Sequence, residues 1–163
     1  MTDLLTDQIM AGLSPTALLG LWMEDAVQAG VAEPRVMSLA TVGRNNRPKV
    51  RVVLLDNFND EGFVLETSSG SQKAADLEQN PFAAISFHWD KLRRTVRIEG
   101  EAEKLPKDYE TAFEKLQKNV QIALHASEKQ SHPTDDWEKE KESHERLKEK
   151  FSHTEKIPKP VFL

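Results

Sequence analysis

The pattern of apolar and polar residues predicts a helix near the start of the chain. The helix is expected to span residues 14–30, because Ser14 before Pro15 is a favourable N-cap and Gly30 is a favourable end. Its apolar positions recur at helical spacing: Leu18, Leu21, Trp22, Ala26 and Ala29. Pro34 then ends this pattern.

Short runs rich in strand-forming residues follow, separated by polar turns. Residues 50–55 include four consecutive apolar residues, as expected for a strand covered on both faces. Polar stretches at 43–48 and 57–62 are typical of turns, and the spacing favours an antiparallel meander. The predicted strands are 36–42, 50–55, 63–67, 82–89 and 95–99, with 102–105 continuing the sheet.

Further helices are predicted between and after these strands. One covers residues 72–80 and stops before Pro81, and another begins at Pro106 and runs through Leu116. Residues 128–163 are rich in charge, with a solvent-facing helix expected over 137–151. The chain of 163 residues is therefore predicted to be one domain, 1–163, whose segment 128–163 is a charged, loosely anchored helix and tail.

Composition excludes several classes of function. The chain has no cysteine, which excludes disulfides and thiolate chemistry. Its net charge of −5 argues against a broad contact with nucleic acid or an anionic membrane. No apolar run is long enough to span a bilayer, and the first residues lack the basic start of a secretory signal. We therefore expect a cytoplasmic protein with no nucleic-acid or membrane partner.

Histidine chemistry is not indicated by the spacing. The five histidines show no HExxH motif and no carboxylate pairing typical of a metal site. No GxSxG motif supports a serine nucleophile. The interpretation that follows is five packing or surface histidines and no metal.

An anion site is indicated between residues 51 and 73. Arg51 lies inside an otherwise apolar strand, where a guanidinium needs an anionic partner. The serine-rich turn 68–71 opens a helix that carries Lys73, and hydroxyls, amides and an ammonium at a helix start can hold a phosphate. Spacing alone leaves two alternatives open: Arg51 pairs with an internal carboxylate, and Lys73 is an ordinary surface lysine.

Four stretches together give the chain a family resemblance. They are VMSLATV (36–42), RPKVRVVLLD (47–56), EGFVLETSSGSQKAADLEQNPFAAISFHW (61–89) and LRRTVRIEGEAEKL (92–105), with weaker similarity at 120–131 and 155–160. In this order and spacing the chain resembles the pyridoxamine 5′-phosphate oxidase family of flavin-dependent proteins. The resemblance implies a mainly β fold with flanking helices, a six-stranded antiparallel split β-barrel, and an FMN site built across a homodimer interface.

The resemblance also assigns roles to individual residues. Arg51 and Lys73 match the family's cations on the FMN phosphate, assisted by the hydroxyls of Thr67 and Ser71. Val52, Val53 and Leu54 would lie along the isoalloxazine ring. Gln130 and Ser131 match a pair that the second subunit contributes to the flavin. No catalytic acid or base is assigned.

The chain departs from the family pattern where the substrate would bind. Asp56 replaces a lysine, Glu66 an aromatic residue, Gln72 an arginine and Thr95 a flavin-facing glutamine. Three substrate-phosphate positions hold apolar residues that cannot bind a dianion: Ala112, Leu116 and Val120. The family's later Trp-Gly-Gly strand and Arg-x-His motif have no counterpart before Leu163.

Two functions remain open at this stage. The first is an FMN-binding oxidoreductase of the pyridoxamine 5′-phosphate oxidase type that acts on an altered small-molecule substrate. The second is a non-catalytic flavin or ligand carrier, or a dimeric interaction module, on the same fold. The absorbance of bound flavin and turnover assays would distinguish them.

Overall fold

The computed structural model describes residues 12–106, 113, 118–126 and 136–158. These residues form two compact units, the first from residues up to 40, 50–65 and 84–100, and the second from 41–49, 66–83 and 101 onward. The elements are, in order, α1 (Pro15–Gln28), β1 (Val36–Val42), β2 (Pro48–Leu54), β3 (Asn57–Asn59), β4 (Gly62–Val64), α2 (Gln72–Gln79), β5 (Phe82–Trp89), a 3₁₀ turn (Asp90–Leu92), β6 (Arg94–Glu101), α3 (Lys118–Ala126) and α4 (Trp137–Phe151).

Helix α1 confirms the first predicted element. The side chain of Ser14 accepts a hydrogen bond from the amide of Ala17 at 3.1 Å, which satisfies one of the amides at the helix start. Gly30, at φ 76°, follows the helix in a conformation that other residues rarely adopt. Positions four and three residues apart face the core, where Leu19, Met23 and Ala26 are buried.

The main sheet has the strand order β2-β1-β5-β6, and most of it lies in the first unit. Alternation along β1 buries Met37 and Leu39, and alternation along β5 buries Ile85, Phe87 and Trp89. The indole of Trp89 donates to the carbonyl of Pro34 at 2.9 Å, so this large core residue has its polar atom satisfied.

The stretch predicted as a turn at 57–62 contains a small hairpin. Strands β3 and β4 pair antiparallel, with Phe58 opposite Phe63 and their rings stacked at 5.9 Å. The side chain of Asn59 accepts from the amides of Glu61 and Gly62, which closes the turn within four residues. The prediction of a turn over the whole stretch was wrong for this reason, and the predicted strand 63–67 ends at Val64.

Two further expectations about strands were wrong. Strand β6 was expected to end before Gly100 but continues to Glu101, because a strand can pass a glycine whose surroundings are open. Residues 102–105, which were expected to continue the sheet, are not a strand. Strand β2 is an edge strand that is covered on one face only. Val50 and Val52 are 68% and 70% exposed, so the apolar run does not mark burial on both faces within a single chain.

The second unit contains a helical core. Helices α3 and α4 pack around Phe113, Ile122, Phe151 and Ile157. Helix α4 matches the prediction for 137–151, while α3 was not predicted as a separate helix. The helix predicted from Pro106 through Leu116 falls largely on 107–112 and 114–116, which lie outside the described residues.

Candidate functional site

A serine-rich turn leads into helix α2. The amide of Ser71 donates to the carbonyl of Ser68 at 2.9 Å, and the amide of Gly70 donates to the Ser68 hydroxyl at 3.3 Å. Ser71 is the N-cap, and its hydroxyl accepts from the amide of Ala74 at 3.3 Å. The turn therefore fixes the first amides of α2, where the helix dipole favours an anion.

Lys73 lies in the first turn of this helix and is buried, at 5% exposure. Its ammonium donates to Thr67 Oγ1 at 2.9 Å, and Thr67 Oγ1 lies 3.1 Å from the hydroxyl of Ser71. Three of the residues that the sequence analysis assigned to the phosphate site are thus brought together in one hydrogen-bonded group. A buried cation among hydroxyls at a helix start has the chemistry of an oxyanion receptor.

One turn further along α2, Asp76 is buried at 1% exposure and fully engaged. Its Oδ1 accepts from Lys49 Nζ at 2.8 Å and from Gln72 Nε2 at 3.2 Å, and its Oδ2 accepts from Thr41 Oγ1 at 2.9 Å. Burial raises the pKa of Asp76, but the hydrogen bonds from Lys49, Thr41 and Gln72 and the charge of Lys49 outweigh burial and hold the pKa below its ordinary value.

This carboxylate was missed by the sequence analysis. Asp76 sits in a short polar helix, where an aspartate is ordinarily solvated, and its partners Thr41 and Lys49 are far away in sequence. The sequence offered one indication: the helix is predicted without a continuous apolar face, so a buried face on it would have to include polar side chains. Gln72, where the family resemblance leads one to expect an arginine, donates to Asp76.

Strand β2 presents the other predicted site residues in the first unit. Arg51 is half-buried, and its Nη1 donates to the carbonyl of Leu39 at 3.2 Å. Because side chains alternate along a strand, Arg51 and Val53 share one face of β2, while Val52 and Leu54 lie on the other, exposed face. The three apolar residues assigned to the flavin ring therefore do not present their side chains to one surface.

The residues that the sequence analysis expected to depart from the family pattern have defined surroundings. Asp56 is half-buried, and its backbone amide donates to Val64 O at 2.8 Å while its carbonyl accepts from Arg35 at 2.5 Å. Glu66 is half-buried next to Thr67. The hydroxyl of Thr95 lies 3.0 Å from His88 Nδ1.

Other predictions fall outside the described residues. These are Gln130 and Ser131 of the expected second-subunit pair, and Ala112 and Leu116 of the substrate-phosphate positions. Val120 lies in α3, but its side chain is also outside them. Within the described ranges no cluster of His, Asp and Glu could hold a metal ion, and no helix has the length and apolar character needed to cross a membrane.

Comparison with known families decides what kind of chain this is. The family model described as pyridoxamine 5′-phosphate oxidase matches residues 23–143. The chain belongs to the pyridoxamine 5′-phosphate oxidase family. A pyridoxine/pyridoxamine 5′-phosphate oxidase from Psychrobacter cryohalolentis is 36% identical over 157 residues, which cover 96% of this chain and 73% of that protein. The chloroplastic enzyme of Arabidopsis thaliana is also 36% identical, but only 29% of its length is matched.

Two similar solved structures agree with the fold. PhzG from Burkholderia lata, solved with tetrahydrophenazine-1-carboxylic acid, has a TM-score of 0.77 and 25% identity over 91% of this chain and 72% of its own. A pyridoxamine 5′-phosphate oxidase-related, FMN-binding protein from Nostoc punctiforme has a TM-score of 0.63 and 19% identity, covering 82% of this chain and 72% of its own. The predicted fold class, a mainly antiparallel β structure of the split-barrel type with flanking helices, is confirmed.

Proposed function

We propose that this member of the pyridoxamine 5′-phosphate oxidase family is an FMN-binding oxidoreductase whose substrate differs from the vitamin phosphates. The observation that carries the proposal is the buried ammonium of Lys73, held by Thr67 at the capped start of α2. A buried ammonium beside hydroxyls at a helix start is an arrangement that binds phosphate oxygens, and a phosphate here would accept charge-assisted hydrogen bonds from it.

The described residues fit the phosphate of FMN. Lys73 contributes a positive charge, Thr67 and Ser71 contribute hydroxyls, and the start of α2 contributes a favourable dipole. When bound, FMN would supply the two-electron redox chemistry, while the chain binds and orients it. The role of Lys73 is therefore to hold the phosphate end.

Strand β2 extends the proposed flavin site. Arg51, half-buried with Val53 on one face of β2, is proposed as the second cation on the phosphate. The backbone of Val52, Val53 and Leu54 is proposed to lie along the ring, with the side chain of Val53 on the same face as Arg51. Gln130 and Ser131 are proposed to reach the flavin from a second subunit.

The exposed row of β2 supports a homodimer. Val50, Val52 and Leu54 all point out from an edge strand, and apolar side chains in a row on such an edge are normally covered by another surface. We therefore propose a homodimer in which this row is buried. Light scattering at micromolar concentration measures the mass, and a strictly monomeric species would contradict the assignment.

The substrate is proposed to be one that lacks a phosphate. Asp56 and Glu66 introduce negative charge where relatives carry a lysine and an aromatic residue, and negative charge disfavours a dianion. The apolar residues Ala112, Leu116 and Val120 remove further contacts. Each lost charge-assisted hydrogen bond is worth about 1.5–3 kcal/mol, and several together would abolish useful affinity.

Flavin titration of single variants tests the cofactor assignment. Lys73→Ala and Arg51→Ala should each weaken FMN binding by about 1.5–3 kcal/mol, the scale of a charge-assisted hydrogen bond. Lys104→Ala and Arg97→Ala, which remove exposed cations, are the matched controls and should leave the affinity unchanged. Equal affinity of wild type and Arg51→Ala, or of wild type and Lys73→Ala, would show that the corresponding assignment is wrong.

An oxidase assay with saturating FMN tests the substrate assignment. Formation of pyridoxal 5′-phosphate should be very slow, because each 1.36 kcal/mol of lost transition-state binding reduces the rate about tenfold. A rate within tenfold of an intact relative would overturn the altered-substrate proposal. If the protein binds FMN but oxidises no amine or alcohol substrate, the alternative function, a non-catalytic flavin carrier, would be supported instead.

A further inference from the structure

Helix α2 is unusual in burying charged and polar side chains on its packed face. Ser71, Lys73 and Asp76 are all buried, while its apolar residues Ala74, Ala75 and Leu77 are only half-buried. Buried charge is costly unless it is paired and hydrogen-bonded. The position of α2 is therefore set by directional bonds, and Asp76 accepts three of them.

Asp76 ties α2 to both strands of the β1–β2 hairpin. Thr41, in β1, donates to Oδ2 at 2.9 Å, and Lys49, in β2, donates to Oδ1 at 2.8 Å. The carboxylate lies one helical turn after Lys73, so bonds from two separate strands act on the same segment of helix. A helix fixed in this way can neither slide nor rotate without breaking a charge-assisted bond.

Gly43 makes room for the Lys49 ammonium. A Cβ built at Gly43 would lie 2.7 Å from Lys49 Nζ, 2.9 Å from Lys49 Cε and 3.3 Å from Asp76 Oδ1. The backbone of Gly43 does not have positive φ, so its conformation is open to any residue. A Cβ at this position would force the flexible end of the Lys49 side chain to shift, which would disturb its bond to Asp76.

We propose that Asp76 is a positioning residue for the phosphate of the flavin: through Thr41 and Lys49 it fixes α2 so that Lys73 and the amides at the start of the helix are preorganised to receive the anion. This rests on the proposed FMN function. Asp76 itself, as a carboxylate, does not contact the phosphate. A preorganised site binds more tightly because less ordering is needed upon binding.

Comparing FMN with riboflavin isolates the phosphate end of the ligand. Asp76→Asn should weaken FMN binding about tenfold, the equivalent of one hydrogen bond to a charged group, and should change riboflavin affinity less than twofold. Glu78→Gln removes an exposed carboxylate from the same helix and should change neither affinity. If Asp76→Asn weakened both flavins equally, or if Glu78→Gln had the same effect as Asp76→Asn, the positioning role would be wrong.

Gly43→Ala is a second variant that leaves every charge in place. By pushing Lys49 away from Asp76, it should weaken FMN binding about threefold, and the double variant should bind FMN no more weakly than Asp76→Asn alone, because both act on one contact. This variant tests the proposal even if Asp76→Asn does not fold. If the effects of Asp76→Asn and Gly43→Ala on FMN binding were fully additive, or if Gly43→Ala had no effect, Asp76 would not act through Lys49.

Amide exchange without flavin separates this proposal from the proposed function. In the wild type the amides of Ala74 and Ala75 donate to Ser71, and we expect their protection to fall in Asp76→Asn and Gly43→Ala but not in Glu78→Gln. If the wild type bound neither flavin, the proposed function would fail, and exchange alone would decide whether Asp76 fixes the start of α2. Unchanged protection in both variants would overturn the positioning role.

Discussion

Helix α2 and the α3–α4 pair, both in the second unit, are stabilised in opposite ways. Helix α2 is fixed by hydrogen bonds and an ion pair, with Lys73 and Asp76 buried. The α3–α4 pair surrounds an apolar cluster that includes Ile122 and Phe151. His125 adds its ring to this packing, 5.0 Å from the ring of Phe151, and its Nε2 lies 2.6 Å from Pro158 O.

The difference shows which region is suited to hold a ligand. Apolar packing has little directional preference, so it supplies stability and tolerates small shifts. Charge-assisted hydrogen bonds supply less net free energy but define position closely. The region with directional bonds is the one that carries the candidate anion site, and changes in the two regions should therefore have different consequences.

The largest expected effect is on the apolar side of this comparison. Phe151→Ala should lower the free energy of unfolding by about 3–5 kcal/mol, since it removes a large buried side chain and leaves a cavity. Urea denaturation measures the loss. Trp137→Ala, at the other end of α4 and 71% exposed, is the control and should change stability by no more than about 0.5 kcal/mol. Equal losses in the two variants would mean that α4 is not held by Phe151.

A smaller effect is expected on the directional side. Ser71→Ala should cost about 1 kcal/mol of stability, the usual value of an N-cap, because the amide of Ala74 loses its acceptor. Ser69→Ala removes an exposed hydroxyl from the same turn and should be neutral. The same two variants can be compared in flavin titrations, where only Ser71→Ala should weaken the binding of FMN. A loss of FMN affinity in Ser69→Ala alone would contradict the site as described.

The same contrast explains how much the sequence could predict. Helices α1, α2 and α4 were predicted within two residues, because caps and charge patterns act locally. The serine-rich turn and Lys73 were predicted as an anion site from the residues themselves, and Thr67 was added to them by the family resemblance. The hairpin at 57–64 was not, because its turn depends on the side-chain hydrogen bonds of Asn59.

Long-range contacts could not be predicted from one sequence. The bonds from Thr41 and Lys49 to Asp76 join residues 35 and 27 positions apart, and no local pattern specifies them. The exposure of Val50 and Val52 was also missed, because an apolar run has the same pattern whether it is covered within the chain or by a partner.

The smallest expected effect is a change in the acid dependence of stability. Burial raises the pKa of Asp76, but the hydrogen bonds from Lys49 and Thr41 outweigh it, so the folded pKa lies below the ordinary value of 3.8. The unfolded chain therefore binds the proton more readily. The stabilisation by Asp76 is full above the ordinary pKa and is lost as pH falls from there through the folded pKa. Urea unfolding between about pH 5 and about pH 3, a range that spans the ordinary pKa of aspartate, should give a shallower decline in unfolding free energy for Asp76→Asn than for the wild type.

Two variants complete this test. Glu78→Gln, which removes an exposed carboxylate from the same helix, should follow the wild-type slope. Phe151→Ala should lower the whole curve without changing its slope, because the apolar cluster that it disrupts contains no group that titrates in this range. If Asp76→Asn followed the wild-type slope down to about pH 3, the carboxylate would not be held in its charged form by Lys49 and Thr41, and α2 would depend on packing in the same way as α3 and α4.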